Sequence, residues 1–205
     1  TEGVDELLQW AEEGSQWSQD VATESGGQYI PLTDTHHLVT FDKPEVIIEA
    51  IDWLMAQELD EKEFTSCFAS SCNEQHNSRL GWCYGDLTIA LTLARVGRAL
   101  ELPSYMEKAK AISLHAARRD QHNGMVNDAG LCHGSAGIAL IFQLLHQEID
   151  EPLLVETANK WLDFTLDYYR EKGLKGLYMF SGLNKTHEED TGFLMGYSGI
   201  GLCLL

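Results

Sequence analysis

The sequence predicts an all-α fold of repeated helical hairpins, with apolar helices in an inner ring and amphipathic helices in an outer ring. Three observations lead to this prediction: a glycine-rich motif that occurs three times, apolar segments directly after it, and amphipathic segments between its copies. Helical hairpin repeats bury one face of each unit against the next unit along the chain. Little β-structure is therefore expected.

The repeated motif has glycine at its first and fifth positions. Its copies are Gly81-Trp-Cys-Tyr-Gly85, Gly130-Leu-Cys-His-Gly134 and Gly192-Phe-Leu-Met-Gly196. The spacing of the copies leaves room for one helical hairpin per repeat.

The segments around the motifs have the patterns of inner and outer helices. Residues 89–94 and 138–145, which follow the first two motifs, are apolar nearly all round, as buried helices are. Amphipathic helices are predicted over residues 44–54, 103–115 and 152–169, and each has a proline in its first turn.

A single domain is predicted over residues 1–205. Residues 18–42 and 120–131 are expected to be loops, because glycine and polar residues interrupt the helical pattern there. The apolar segment after the third motif runs to Leu205 without an outer helix behind it. We therefore expect the last outer helix to be missing from the chain.

Charge and composition exclude several classes of protein. The net charge of −18, from 32 acidic and 14 basic residues, argues against nucleic acid or an anionic membrane surface as a partner. No apolar run reaches the roughly 18 residues of a transmembrane helix, and the amino terminus lacks the pattern of a signal peptide. The odd count of five cysteines argues against a disulfide framework and favours the cytoplasm.

Two of the motifs contain residues that bind zinc in other proteins. Cys83 lies in the first motif, and Cys132 and His133 lie in the second, each just before a predicted helix. The positive end of a helix dipole lowers the pKa of a nearby thiol, and equivalent turns in neighbouring hairpins bring their side chains to one end of the ring. Two thiolates and one imidazole leave the fourth position of a tetrahedral Zn²⁺ site open, which is the catalytic pattern. One zinc ion per chain is predicted.

A second combination of ligand types is Cys67, Cys72 and His76, whose spacing is close to that of metal ligands. Its spacer lacks the glycines of a zinc knuckle, and a loop over the cavity is the favoured interpretation. The alternative for Cys83, Cys132 and His133 is two buried thiols and a hydrogen-bonded core histidine.

The ordered pair of motifs at residues 81–85 and 130–134 resembles the lanthionine synthetase C-like family, which includes bacterial cyclases of lantibiotic biosynthesis. The resemblance covers roughly residues 75–205, the carboxy-terminal half of the family fold. It implies an α/α toroid, here a partial toroid that lacks the amino-terminal hairpins.

The resemblance also implies a zinc-dependent activity. Zinc held by Cys83, Cys132 and His133 would activate a peptide cysteine, which adds to dehydroalanine or dehydrobutyrine and forms a thioether. Arg79 and Tyr84 match residues that line the site in the bacterial cyclases and are expected to be catalytic. The implied partners are a dehydrated, cysteine-containing precursor peptide and a dehydratase, in the cytoplasm or at a membrane-associated complex.

The sequence departs from the family pattern in one respect that bears on activity. The catalytic His-Gly motif that the family has before the first zinc cysteine is not found, and His36 and His37 lack the accompanying glycines. Two alternatives therefore stay open. One is a zinc- and glutathione-binding protein of the same family, and the other is a non-catalytic helical scaffold that zinc stabilises.

Overall fold

The computed structural model describes residues 2–25, 29–31, 43–71 and 75–205. The chain divides into two compact units, residues 1–52 and residues 53–205. The single domain over residues 1–205 stays a prediction.

Among its described residues, the first unit contains a long helix that the sequence did not predict. Helix α1 spans Glu2–Ser25, so the prediction of a loop from residue 18 is wrong for residues 18–25. Hydrogen bonds between side chains one turn apart support this helix: Gln9 donates to Glu13 at 2.9 Å, and Gln16 donates to Asp20 at 2.8 Å. Each pair adds about 0.2–0.5 kcal/mol to the stability of the helix.

The other α-helices agree closely with the predicted segments, whereas a 3-10 turn and two short strands were not predicted. The helix α2 (Pro44–Met55) begins in the first unit and ends in the second. The second unit continues with α3 (Asp86–Ala99), α4 (Pro103–Ala116), α5 (Ser135–Ile149), α6 (Pro152–Lys172), a 3-10 turn (Gly173–Leu177), strands β1 (Met179–Ser181) and β2 (Thr186–Glu188), and α7 (Tyr197–Cys203).

The all-α class is confirmed. The strands β1 and β2 form a small antiparallel hairpin in which Phe180 lies opposite His187. Residues 120–131 contain neither helix nor strand, as predicted. The amphipathic helices α2, α4 and α6 begin at the prolines that marked them in the sequence, because proline has the backbone geometry of a first helical turn.

The packing within the second unit follows the expected layers. Helix α3 packs against α4, and α5 packs against α6, which gives two hairpins. The helices after the three motifs also contact one another, since α5 lies against both α3 and α7. The fully buried side chains of this layer include Leu87, Leu93, Ile138, Ile141, Phe142, Leu145 and Ile200. The loops before these helices are consequently held at one end of the packed layer.

Among the residues that the structure describes, no helix is both long enough and apolar enough to cross a membrane.

Candidate functional site

The three glycine motifs lie side by side and are joined through their backbones. The N–H of Trp82 in the first motif donates to the carbonyl of Cys132 in the second at 2.7 Å. The N–H of Cys132 in turn donates to the carbonyl of Leu194 in the third at 2.9 Å. The Cys132–His133 loop therefore lies between the other two loops.

Each motif loop also packs closely on its own helix. A Cβ atom on Gly137 would lie 1.7 Å from the carbonyl oxygen of Leu131, and one on Gly199 would lie 1.9 Å from that of Phe193. In the first repeat the corresponding helical residue is Thr88, whose hydroxyl donates to the carbonyl of Trp82. The same contact between helix and loop therefore occurs three times, with a threonine hydroxyl in place of close glycine packing in the first repeat.

This packing brings the predicted zinc ligands into one region. The thiol of Cys83 lies close enough to that of Cys132 to raise its pKa, with Cys83 exposed and Cys132 half-buried. The half-buried His133 follows directly, and a Cβ atom on Gly81 would lie only 3.1 Å from its Cβ. The first and second motifs therefore touch where the ligands are located.

The pKa of Cys132 differs from the expectation. The sequence predicted a thiol pKa lowered by the helix dipole, whereas burial and the neighbouring Cys83 raise the pKa of Cys132 to about 12. Burial disfavours the charged thiolate. The thiol also precedes the first residue of α5, Ser135, by three positions, and the effect of a helix dipole falls off within the first turn.

The two predicted catalytic residues lie within electrostatic reach of these thiols. Burial raises the pKa of Tyr84, the charge of Arg79 opposes this rise, and Cys83 and Cys132 add to it. Burial and Arg79 together lower the pKa of His133. The structure thus groups Arg79 and Tyr84 with the three predicted ligands.

The donor set of this region fits zinc, but its side chains do not form a finished site. Within the described segments, no three His, Cys, Asp or Glu side chains have the arrangement of a preformed metal site. Two neighbouring thiols and an adjacent imidazole are nevertheless the ligand types that Zn²⁺ prefers. Burial and Arg79 favour the neutral imidazole at His133, which is the form that binds a metal.

Two aspartates that support the second and third loops were missed by the sequence analysis. Asp128 accepts a hydrogen bond from the N–H of Gly130 at 3.0 Å, and Asp190 accepts one from the N–H of Gly192. The other carboxylate oxygen of Asp128 accepts from the N–H of Phe180 at 2.8 Å, which ties β1 to the loop. The signal was present in the sequence, because both aspartates stand two residues before the first glycine of their motif.

A buried ion pair supports the first loop and was also missed. Asp86, the first residue of α3, lies 3.3 Å from Arg119, and both side chains are almost fully buried. Asp86 also accepts from the N–H of Phe68 at 3.0 Å, and Arg119 donates to the carbonyls of Ser78 and Asn123. The pair therefore fixes three loop segments around the start of α3.

The remaining sequence predictions lie outside this region or outside the described residues. Cys67 is buried, and its partner Cys72 in the second combination of ligands is not among the described residues, so this combination stays a prediction. His36 and His37 are likewise outside the described residues.

A comparison with protein-family models identifies a family that matches most of the chain. The model described as lanthionine synthetase C-like protein matches residues 40–205. This match begins about 35 residues before the region in which the motifs showed the resemblance, so it includes the helix α2 (Pro44–Met55).

Proposed function

The chain belongs to the lanthionine synthetase C-like family, and from this membership and the contacts between its motif loops we propose that it is a zinc-dependent peptide cyclase. The proposed reaction adds a cysteine thiol of a dehydrated peptide to dehydroalanine or dehydrobutyrine. The observation that carries the proposal is the Trp82–Cys132 backbone hydrogen bond, which joins the loop of Cys83 to the loop of Cys132 and His133.

Zinc would be held by Cys83, Cys132 and His133. When bound there, zinc would supply a Lewis acid that lowers the pKa of a substrate thiol, so that a nucleophile exists at neutral pH. The exposure of Cys83 leaves this region open to a peptide. The indole of Trp82 is 43% exposed and the side chain of Leu194 is 46% exposed, which gives the opening an apolar rim.

Arg79 and Tyr84 have separate roles in the proposed reaction. The substrate sulfur loses its proton and bonds to the β-carbon of the dehydroamino acid, and the alkene electrons move towards the neighbouring carbonyl as an enolate. The guanidinium of Arg79 would stabilise this negative charge. The phenol of Tyr84 would donate a hydrogen bond to the same oxygen while the α-carbon takes up a proton, so no atoms are lost.

The proposal is tested with a dehydrated, cysteine-containing peptide. Free thiols of the peptide should disappear without any change in its mass, as measured by alkylation followed by mass spectrometry. Elemental analysis should find about one zinc per chain, as three protein ligands with an open position require. Both properties should be lost in Cys132→Ala and kept in Cys203→Ala, a matched variant in α7.

Other results of the same measurements would distinguish the cyclase from a zinc- and thiol-binding protein and from a scaffold that zinc stabilises. Zinc present in the wild-type chain, with peptide thiols that persist, would overturn the cyclase and favour a family member that binds zinc and a thiol ligand such as glutathione. If zinc removal unfolds the chain and no thiol is consumed, zinc has a structural role only. Arg79→Gln should slow thiol consumption at least tenfold with its zinc content unchanged, since a charge-assisted hydrogen bond is worth about 1.5–3 kcal/mol.

A further inference from the structure

A cavity in the second unit has a charge opposite to that of the whole chain. Its volume is about 360 Å³, and it lies between the 120–127 loop, the end of α6 and the β1–β2 hairpin. We call it the basic cavity and define it by Gln121, Tyr168, Lys172, Lys175, Phe180 and His187. None of the described residues that line it is an aspartate or a glutamate. By contrast, the cavity beside Phe68 is lined by Glu58, Asp60 and Glu63.

Both lysines are available to a ligand. Neither Lys172 nor Lys175 forms an ion pair within the part of the chain that the structure describes. The acidic groups that act on the neighbouring Tyr168 are Asp128 and Glu171, and neither lines the cavity. In addition, the two oxygens of Asp128 already accept backbone hydrogen bonds. In a chain of net charge −18, two free ammonium groups at one cavity mark a site for an anion.

The neutral groups of the cavity include a hydrogen-bond donor that has no acceptor among the described residues. The hydroxyl of Tyr168 accepts a hydrogen bond from the amide of Gln121 at 2.9 Å, which leaves its own proton to donate. Burial raises the pKa of Tyr168, so this proton is retained. His187 Nε2 lies 2.9 Å from the carbonyl of Asn127, which can only accept, and the imidazole is thereby fixed beside the cavity.

One wall of the cavity is aromatic. The ring of Phe180 packs edge-to-face on the imidazole of His187, with ring centres 5.4 Å apart. A wall of this kind can cover the apolar part of a small ligand, and the volume lies within the usual range of ligand pockets. A ligand that fits this cavity therefore has two negative charges on one small group and an apolar part attached to that group.

We propose that the basic cavity binds a small phosphate monoester, with Lys172 and Lys175 on the phosphate dianion, Tyr168 as a hydrogen-bond donor to it, and Phe180 against the organic group. Lysines bind phosphate as point charges, and two of them match a dianion better than the single charge of a carboxylate. This binding site is separate from the three motif loops and needs neither zinc nor peptide.

Isothermal titration calorimetry with phenyl phosphate at pH 8 and low salt tests this proposal. At this pH the monoester is a dianion. Saturable binding is expected, with Kd at least tenfold weaker in Lys172→Gln and in Lys175→Gln, and at least threefold weaker in Tyr168→Phe. Lys160→Gln is the matched control, because Lys160 also lies on α6 but lines a different cavity. It gives the same net charge and should bind within twofold of wild type.

Two further titrations test the need for a double charge and the independence of the site from any metal. Benzoate has the same ring with a single charge and should bind at least tenfold more weakly than phenyl phosphate. Cys132→Ala should bind phenyl phosphate as tightly as wild type, which separates this site from any metal at the motif loops. Absence of saturable binding, equal weakening in Lys160→Gln, equal affinity for benzoate, or loss of binding in Cys132→Ala would each overturn the proposal.

Discussion

The thiol of Cys67 is buried beside two acidic groups. Its side chain is 8% exposed, and burial, followed by the charges of Asp86 and Glu58, raises its pKa to about 12. The thiol is therefore neutral and protected at neutral pH. It also gives the folded state a dependence on alkaline pH, because an exposed thiol in the unfolded chain has its ordinary pKa near 9.

Cys67 is predicted to make the folded chain less stable as the pH rises above 9. The folded state binds the thiol proton more tightly than the unfolded state, so this contribution is complete below pH 9 and is lost as the pH rises towards 12. The loss is about 1.4 kcal/mol per pH unit, or roughly 2 kcal/mol at pH 10.5. Urea unfolding of wild type and Cys67→Ala at several pH values between 8 and 10.5 measures it. Parallel curves for the two proteins would contradict the prediction.

The three motif loops depend on close packing between each loop and the helix that follows it. Gly137 in α5 and Gly199 in α7 make this packing possible, because the carbonyl of their own loop occupies the space of a side chain. Gly201, also in α7, has no atom within 4 Å of the position of a Cβ. Two alanine substitutions in helices of the same layer therefore have opposite expected effects.

Gly137→Ala should lower the free energy of unfolding by about 3 kcal/mol or more. Overpacking of a core costs about 1–3 kcal/mol when side chains can adjust, and the clash here is with backbone atoms, which adjust less easily. Gly201→Ala should leave stability unchanged or raise it by up to about 1 kcal/mol, because alanine favours a helix over glycine. Urea unfolding of both variants compares them. Equal effects of the two substitutions would show that the repeated contact between helix and loop does not hold the motifs in place.

The helices could be predicted from the sequence wherever local patterns determine them. Prolines mark the starts of α4 and α6, and the apolar segments mark α3 and α5. Helix α1 was not predicted, although Val4, Leu7, Leu8 and Ala11 have the spacing of one helix face. The prediction depended on the repeated glycine motifs, and this helix lies outside them.

At the candidate site, the residue types could be predicted but their supports could not. The repeated motif was enough to group Cys83, Cys132 and His133. The ion pair of Asp86 and Arg119 joins residues 33 positions apart, and no local pattern indicates which charges meet in a core. The raised pKa of Cys132 likewise depends on burial and on a neighbour from another loop, both of which are tertiary properties.

At the scale of the whole molecule, the dominant electrostatic feature is the excess of acidic residues. A net charge of −18 on 205 residues makes the folded state repel itself, and the repulsion is greatest when the ions of the solvent are few. The exposed ion pairs in the described residues, such as Arg170 with Asp167 at 2.7 Å, offset little of it, since an exposed pair contributes about 0–1 kcal/mol.

Salt should therefore stabilise the chain, with most of the gain below about 0.5 M NaCl, because the Debye length falls from about 10 Å at 0.1 M to 3 Å at 1 M. The neighbouring exposed residues Glu61 and Lys62 provide a matched test. Glu61→Gln should raise Tm at low salt, because it removes one of the excess negative charges. Lys62→Gln should lower Tm, because it removes a positive charge that offsets them. Both differences should shrink at 0.5 M NaCl in thermal unfolding followed by circular dichroism. If salt raises Tm of all three proteins equally and without saturation, the cause is salt exclusion from the protein surface and not screening of the acidic excess.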